Sequence, residues 1–190
     1  MVCHPSCDPG AVDGISVRVR RATRSLALLF RVEGRVDQIS IPPPCAPERR
    51  DGLWRHTCFE LFLRRAGDPG YAEFNLSPSG EWSAYRFDAY RTGMRELELA
   101  LAPTAEVRRG DGRLDVELRI ARVPAPWGRA AALWIAASAV VEDTRGALAY
   151  WALAHPAGAP DFHHLAGFVP GPGAAEADAP ADGAVRTRRP

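Results

Sequence analysis

The chain contains no lysine; all 24 of its side chains counted as Lys or Arg are arginine. Set against 23 acidic residues they leave a formal net charge of +1. That removes the electrostatic case for a nucleic-acid or membrane partner, which needs a broad basic field. Arginine suits bidentate carboxylate recognition, but the bias extends into the C-terminal tail, so composition explains it. Long apolar runs are also missing. The longest, residues 130–141, is Ala-rich and too short to span a bilayer; it reads as a buried strand. The N-terminus lacks a basic stretch followed by an apolar core, so a cytoplasmic protein is expected. No Gly-rich phosphate loop, Gly-x-Ser-x-Gly elbow or His-Glu-x-x-His pair occurs, which leaves nucleotide and nucleophile chemistry without a motif. Nor is there a long amphipathic helix.

Cysteine is scarce. Four residues are too few for a disulfide framework in 190 residues. Cys3, His4 and Cys7 cluster, but a zinc site needs four ligands, and Cys45 and Cys58 are a poor second pair. Free thiols, on a loose terminus and in a core, are the expectation.

What the chain does have is alternation. Leu114, Val116, Leu118 and Ile120 interleave with Asp115, Glu117 and Arg119, and Leu97, Leu99 and Leu101 with Glu96, Glu98 and Ala100. Leu133 to Val141 repeats the pattern, and Leu28 with Phe30 and Ile39 with Ile41 mark two further runs. A period of two predicts half-buried antiparallel strands. Turn chemistry separates them at Asp68-Pro-Gly70, Ser79-Gly80, Arg145-Gly146 and, most strongly, Gly110-Asp111-Gly112-Arg113. About ten short strands predict an all-β fold, an antiparallel two-sheet β-sandwich of jelly-roll or immunoglobulin-like type with little helix. Its expected extent is 14–169, with 1–13 as a flexible N-terminus and 170–190 as a disordered tail. Residues 42–54 read as a long loop across one end.

Residues 58–88 are the richest in chemistry. Phe59, Leu61 and Leu63 alternate with Glu60, Phe62 and Arg64; Ala72, Phe74 and Leu76 with Glu73 and Asn75; Ser83, Tyr85 and Phe87 with Trp82 and Arg86. If these strands are neighbours, Glu60, Glu73, Asn75 and Arg86 line up as a polar row. That row is either a ligand surface or a Glu–Arg ladder on a solvated face, stabilising by ~0.2–1 kcal/mol per pair. Trp54, Trp82 and Trp151 are candidate platforms for sugar rings, with core filling as the alternative; Trp127 and Trp134 are assigned to packing. His155, Asp161, His163 and His164 sit in one loop, where His with Asp fits either acid–base or metal chemistry. A structural or ligand-contacting loop is favoured, because adjacent histidines on an extended chain diverge.

The blocks Trp54-x-x-x-Cys58-Phe-Glu-Leu-Phe-Leu, Tyr71-x-Glu-Phe-Asn-Leu-Ser-Pro-x-Gly-x-Trp82, Tyr85-x-Phe-Asp-x-Tyr-Arg-x-Gly-Met94, Tyr150-Trp-Ala-Leu-x-His155 and Pro160-Asp-Phe-His163 together resemble the bacterial DOMON-like domains. These are similar to family 9 carbohydrate-binding modules. The likeness spans roughly residues 15–168. It implies a β-sandwich that binds a small ligand without catalysing a reaction. In the wider superfamily the ligands are sugars or haem. Some relatives occur with the reductase that makes UDP-N-acetylmuramate, so the resemblance implies a sugar or sugar nucleotide and a possible partner enzyme. Haem binding in relatives uses a Met and a His as axial ligands, for which this chain offers Met94 with His155 or His163. A domain that docks on an enzyme through exposed aromatics and edge strands is the third reading.

Overall fold

The computed structural model describes residues 1–130 and 132–173. Its strands are β1 (Val2–Cys3), β2 (Val12–Arg21), β3 (Leu26–Gly34), β4 (Cys58–Arg65), β5 (Tyr71–Leu76), β6 (Trp82–Phe87), β7 (Arg95–Glu96), β8 (Thr104–Gly110), β9 (Arg113–Ile120), β10 (Leu133–Glu142), β11 (Leu148–Ala152) and β12 (Val169–Pro170). They form two antiparallel sheets. The smaller has the order β2-β3-β9-β8; the larger runs β1-β11-β10-β4-β5-β6-β7, with β12 also on β10. The remaining elements are four short 3-10 turns, so the predicted all-β sandwich is the observed architecture. No helix among the described residues is long and apolar enough to cross a membrane.

The alternation read from sequence fills the space between the sheets. Leu28, Phe30 and Val32 of β3 and Leu114, Val116 and Leu118 of β9 come from one side. Phe59, Leu61 and Leu63 of β4, with Ala72, Phe74 and Leu76 of β5, come from the other. Phe30 and Phe59 meet across the interface at 4.9 Å between ring centroids. Each fully buried side chain of this size contributes roughly 1.5–3 kcal/mol relative to exposure. The β8–β9 hairpin closes through Asp111 and Gly112, with Gly112 at φ 63°; that left-handed conformation suits glycine.

Three expectations change. Residues 1–13 are tied in: Val2 and Cys3 pair with β11, the Met1 ammonium donates to Ile15 O at 2.6 Å, and His4 is buried. Order also runs past 169, because Pro170 pairs with Trp134 and Gly171 N donates to Leu133 O at 2.8 Å. The rest of the expected tail, 174–190, lies outside the described residues. Third, the leucine alternation at 96–101 yields only the two-residue β7. Leu97 still reaches the core and Leu101 is exposed, so the segment lies along the sheet edge as irregular chain.

Candidate functional site

Residues 59–64 of β4 each face one residue on β5 and one on β10. Register therefore decides which side chains share the outer face of the large sheet, the face turned away from the core. One row across that face is Ser138, Glu60, Asn75 and Ser83; the next is Ala136, Phe62, Glu73 and Tyr85; the third holds Arg64, Tyr71 and Phe87. Paired residues in an antiparallel ladder project to the same side. The outer face is thus polar at its centre and aromatic around it. Phe62, Tyr71, Tyr85, Phe87, Ala136 and Phe168 form a second apolar cluster of their own, with Tyr71 stacked on Phe87 at 4.6 Å.

Three connections rise over this face and enclose a cleft of about 450 Å³. The 42–57 loop ends in the 3-10 turn Leu53–Arg55 and brings in Trp54, edge-on to Tyr85 at 6.2 Å. That loop is fastened by Asp51, which accepts from the Tyr85 hydroxyl and pairs with Arg49 at 3.0 Å. The β6–β7 connection delivers Arg91 and Met94. It turns through Arg91 at φ 51°, the only positive φ outside glycine among the described residues, and through Gly93 at φ 65°, where a Cβ would lie 2.2 Å from the Asp88 carboxylate. Asp88 in turn accepts two hydrogen bonds from Arg95, at 2.7 and 2.8 Å. The connection after β11 delivers Pro160, Phe162 and His163.

Asp161 knits two of these connections together. Its carboxylate accepts from Arg91 Nη2 at 2.8 Å, from the Tyr90 hydroxyl and from His163 N at 3.1 Å. These donors hold it below the usual carboxylate range despite its burial, which opposes them. His163 is thereby fixed with Nδ1 2.8 Å from the Tyr71 hydroxyl. That hydroxyl also accepts from Arg91 N at 3.2 Å. The other ring nitrogen, Nε2, lies 3.8 Å from Glu73 Oε2. Burial, aided by the Arg91 charge, pushes the His163 pKa down to about 4.

The floor of the cleft is carboxylic. Glu60 is 3% and Glu73 5% exposed. Ser138 Oγ donates to Glu60 Oε2 at 2.7 Å, and Asn75 Nδ2 donates to Glu73 Oε1 at 2.6 Å. Both carboxyls are raised well above the ordinary value of 4.5, chiefly by burial; for Glu60 the Glu73 charge adds to the rise. Such perturbed groups in a cleft mark candidate functional sites. Cys58, two positions before Glu60 in β4, is a buried thiol pushed well up by the same burial and by both carboxylates.

Of the residues singled out from sequence, Trp54, Glu60, Glu73 and His163 line the cleft. Asn75 backs its floor through Glu73, and Asp161 braces its rim. Four others lie elsewhere. Trp151 is 5% exposed and belongs to the core between the sheets, because its register partner Ala139 faces inward. Trp82 packs against that same core, and Arg86 shares its side of β6, paired with Ala72 and Arg95. The row that β6 gives the outer face is Ser83, Tyr85 and Phe87. His155 Nε2 donates to Val2 O at 3.0 Å and sits edge-on to His4 at 4.8 Å, outside the cleft. Trp134, assigned to packing, is 36% exposed. Arg91, Met94, Val140, Tyr150, Pro160 and Phe162 are cleft residues without a functional assignment from the strand pattern. Only the Tyr90-Arg-x-Gly turn and the aromatic at 162 hinted at them.

Met94 and His163 line the same cleft, yet they do not fit an axial pair for haem iron. The two ring nitrogens of His163 face Tyr71 and Glu73 rather than open space, and two buried carboxyls occupy the floor. Among the described residues no group of three or more His, Cys, Asp or Glu side chains is placed to hold a metal ion. Cys3, Cys7, Cys45 and Cys58 are free thiols, and His4 is engaged by Ser6 Oγ at 2.7 Å.

No protein-family model and no curated protein matches the chain. Among solved structures it is similar to a "putative carbohydrate-binding protein" from Bacteroides uniformis, with TM-score 0.57 and 14% identity over 82% of this chain and 76% of the other. It also matches a family 9 carbohydrate-binding module from Caldicellulosiruptor kristjanssonii in complex with glucose, at TM-score 0.42 and 13% identity over 75% and 67% of the two chains. The first of these likenesses identifies the fold: a β-sandwich of the kind seen in that Bacteroides protein.

Proposed function

We propose that this chain is a non-catalytic module that binds a sugar or a sugar-derived small molecule in the cleft on the outer face of the large sheet. The observation that carries the reading is the composition of that cleft. Trp54, Phe87, Tyr150 and Phe162 supply apolar walls, while Glu60, Glu73, Arg91 and His163 converge from four different segments. Its volume of about 450 Å³ falls within the roughly 300–1,000 Å³ of small-molecule sites, and apolar walls with a few placed polar groups are their usual chemistry. Flat aromatic faces suit the C–H faces of a pyranose, and carboxyls suit its hydroxyls. The fold of the Bacteroides protein supports the reading, as does the resemblance to DOMON-like domains. Through relatives that occur with the UDP-N-acetylmuramate reductase, that resemblance makes cell-wall sugars the first probes and such an enzyme a possible partner.

No side chain in the cleft is arranged as a nucleophile with a base. Among the described residues no serine, threonine or cysteine side chain is hydrogen-bonded to His163, whose Nδ1 is engaged by Tyr71, and Ser138, the one hydroxyl on Glu60, is itself buried rather than presented to the cleft. Isothermal calorimetry of the full chain against glucose, N-acetylglucosamine, N-acetylmuramate and their UDP forms tests the reading. Saturable heat with at least one, lost in Trp54→Ala, is expected; no heat with any of them at high protein concentration overturns it.

A further inference from the structure

The cleft floor is unusual in what it leaves unmet. Among the described residues no hydrogen bond reaches Glu60 Oε1, and Glu73 Oε2 has only His163 Nε2 at 3.8 Å; each carboxyl has its one hydrogen-bond donor on the other oxygen. Asn75, fully buried and directly across from Glu60, spends its amide NH2 on Glu73 and leaves its Oδ1 without any partner. With both carboxyls ionised, three acceptor oxygens lie on adjacent rows of one face. Of the three, Asn75 Oδ1 is fully buried without a partner, and such an acceptor costs free energy until a donor reaches it.

Charge points the same way. On β4 and β5 the titratable neighbours are Cys58, a neutral buried thiol, and Tyr71, whose hydroxyl is hydrogen-bonded to His163. Arg64, one row beyond Phe62, spends its Nε on Asp68 O at 2.7 Å. On β6, Tyr85 is pushed up to about 12 and donates to Asp51. From the β10–β11 hairpin comes only Tyr150. From above come Arg91, paired with Asp161, and His163, neutral at ordinary pH. Arg91, the cation whose charge reaches Glu73, is already paired with Asp161, and no ion pair among the described residues reaches Glu60.

We propose, resting on the reading of this cleft as the ligand site, that its ligand carries a protonated amine, seated on Glu60 and Glu73 with an N–H directed at Asn75 Oδ1. An ammonium supplies three donors and a positive charge at one point, which answers all three oxygens at once. The natural class is an amino sugar with a free amine. The phosphates of a sugar nucleotide are repelled by the same floor. Seating the cation draws a carboxyl proton off into solvent, because a neighbouring positive charge favours the ionised glutamate.

The test is calorimetry of the full chain with glucosamine, N-acetylglucosamine, glucose and cyclohexylamine, each in two buffers of different ionisation enthalpy. Glucosamine is expected to bind at least about tenfold more tightly than the two neutral sugars, with proton release seen as a buffer-dependent heat. In Glu73→Gln and Glu60→Gln, both close in shape to the native residue, that preference and the proton release should fall away. Proton release in the unmutated chain is an independent readout if either variant folds poorly. Equal affinity for glucose and glucosamine overturns the amine proposal while leaving a sugar site intact. Binding of cyclohexylamine with no sugar bound supports the amine seat and overturns the sugar reading. Silence with all four overturns both.

Discussion

The two sheets present outer faces built from similar residues and put to opposite use. On the small sheet, Glu117 is flanked by Arg119 at 3.0 Å and Arg20 at 3.3 Å, and Asp115 by Arg31 at 2.9 Å and Arg113 at 3.5 Å. Every one of these carboxylates lies under two guanidinium groups that reach into water. On the large sheet, Glu60 and Glu73 sit at equally central positions but have only Ser138 and Asn75 as hydrogen-bond donors among the described residues, at the floor of the cleft. The first face is a charge ladder of the sort that stabilises modestly. The second carries buried carboxyls that cost the fold free energy, and perturbed carboxyls in a cleft mark a candidate functional site.

The largest effect that can divide the two sides of the large sheet comes from its tryptophans. Trp151→Ala, which empties part of the core, should lower stability by about 3–5 kcal/mol in urea denaturation. Trp54→Ala, at a 37% exposed site, should cost about 1 kcal/mol or less and instead weaken ligand binding. Equal losses in the two variants would erase the distinction between core and cleft.

Next in size is the response to pH, where the faces should slope in opposite directions. Glu60 and Glu73 hold their protons in the folded chain above the ordinary value of 4.5. Their contribution is therefore fully present below that value and is lost as pH rises through the raised values. Asp115 is held below its ordinary 3.8, first by its hydrogen bond from Arg31, so its contribution is present above 3.8 and lost as pH falls. Between these lies His163, lowered from 6.5 to about 4, which costs stability as pH falls through that window. Glu60→Gln should flatten the alkaline side and stabilise the free protein there by about 1–3 kcal/mol. Asp115→Asn should flatten only the acid limb. Thermal melts across pH would show both, and an unchanged alkaline slope in Glu60→Gln would remove the buried-carboxyl account.

The smallest effect belongs to the ladder itself. Arg31→Ala should cost about 1 kcal/mol or less, shrinking further in high salt, with ligand binding untouched. A binding defect in this variant would mean that the two faces are coupled.

Much of this was legible from strand parity. In β4 and β5 one row is purely apolar, so Phe59, Leu61, Leu63 and Phe74 declare the core, and Glu60, Glu73 and Asn75 the opposite side. In β6 both rows mix aromatic and polar side chains. Tyr85 and Phe87 read as core and Trp82 and Arg86 as surface, whereas the outer face holds an aromatic cluster of its own and claims the former pair. A one-residue parity error moves a whole strand across the sheet. Trp151 was misplaced for the same reason: β11 has Tyr150 and Trp151 side by side, and only the register with β10 tells which faces the cleft. Arg91, Met94 and Phe162 were beyond parity altogether, since loops set their positions through Asp161, Asp88 and the turn at Gly93. The charge ladder expected as an alternative for Glu60 and Glu73 does exist, on the other sheet.

The most direct test of the central claim is a map of backbone amide chemical shifts on adding glucosamine to the full chain. The account predicts shifts confined to residues around Trp54, Glu60, Glu73, Arg91 to Met94, Ser138 to Val140 and Pro160 to His163, with β2, β3, β8 and β9 silent. Shifts centred on the arginine ladder of the small sheet, or none anywhere at saturating sugar, would contradict it.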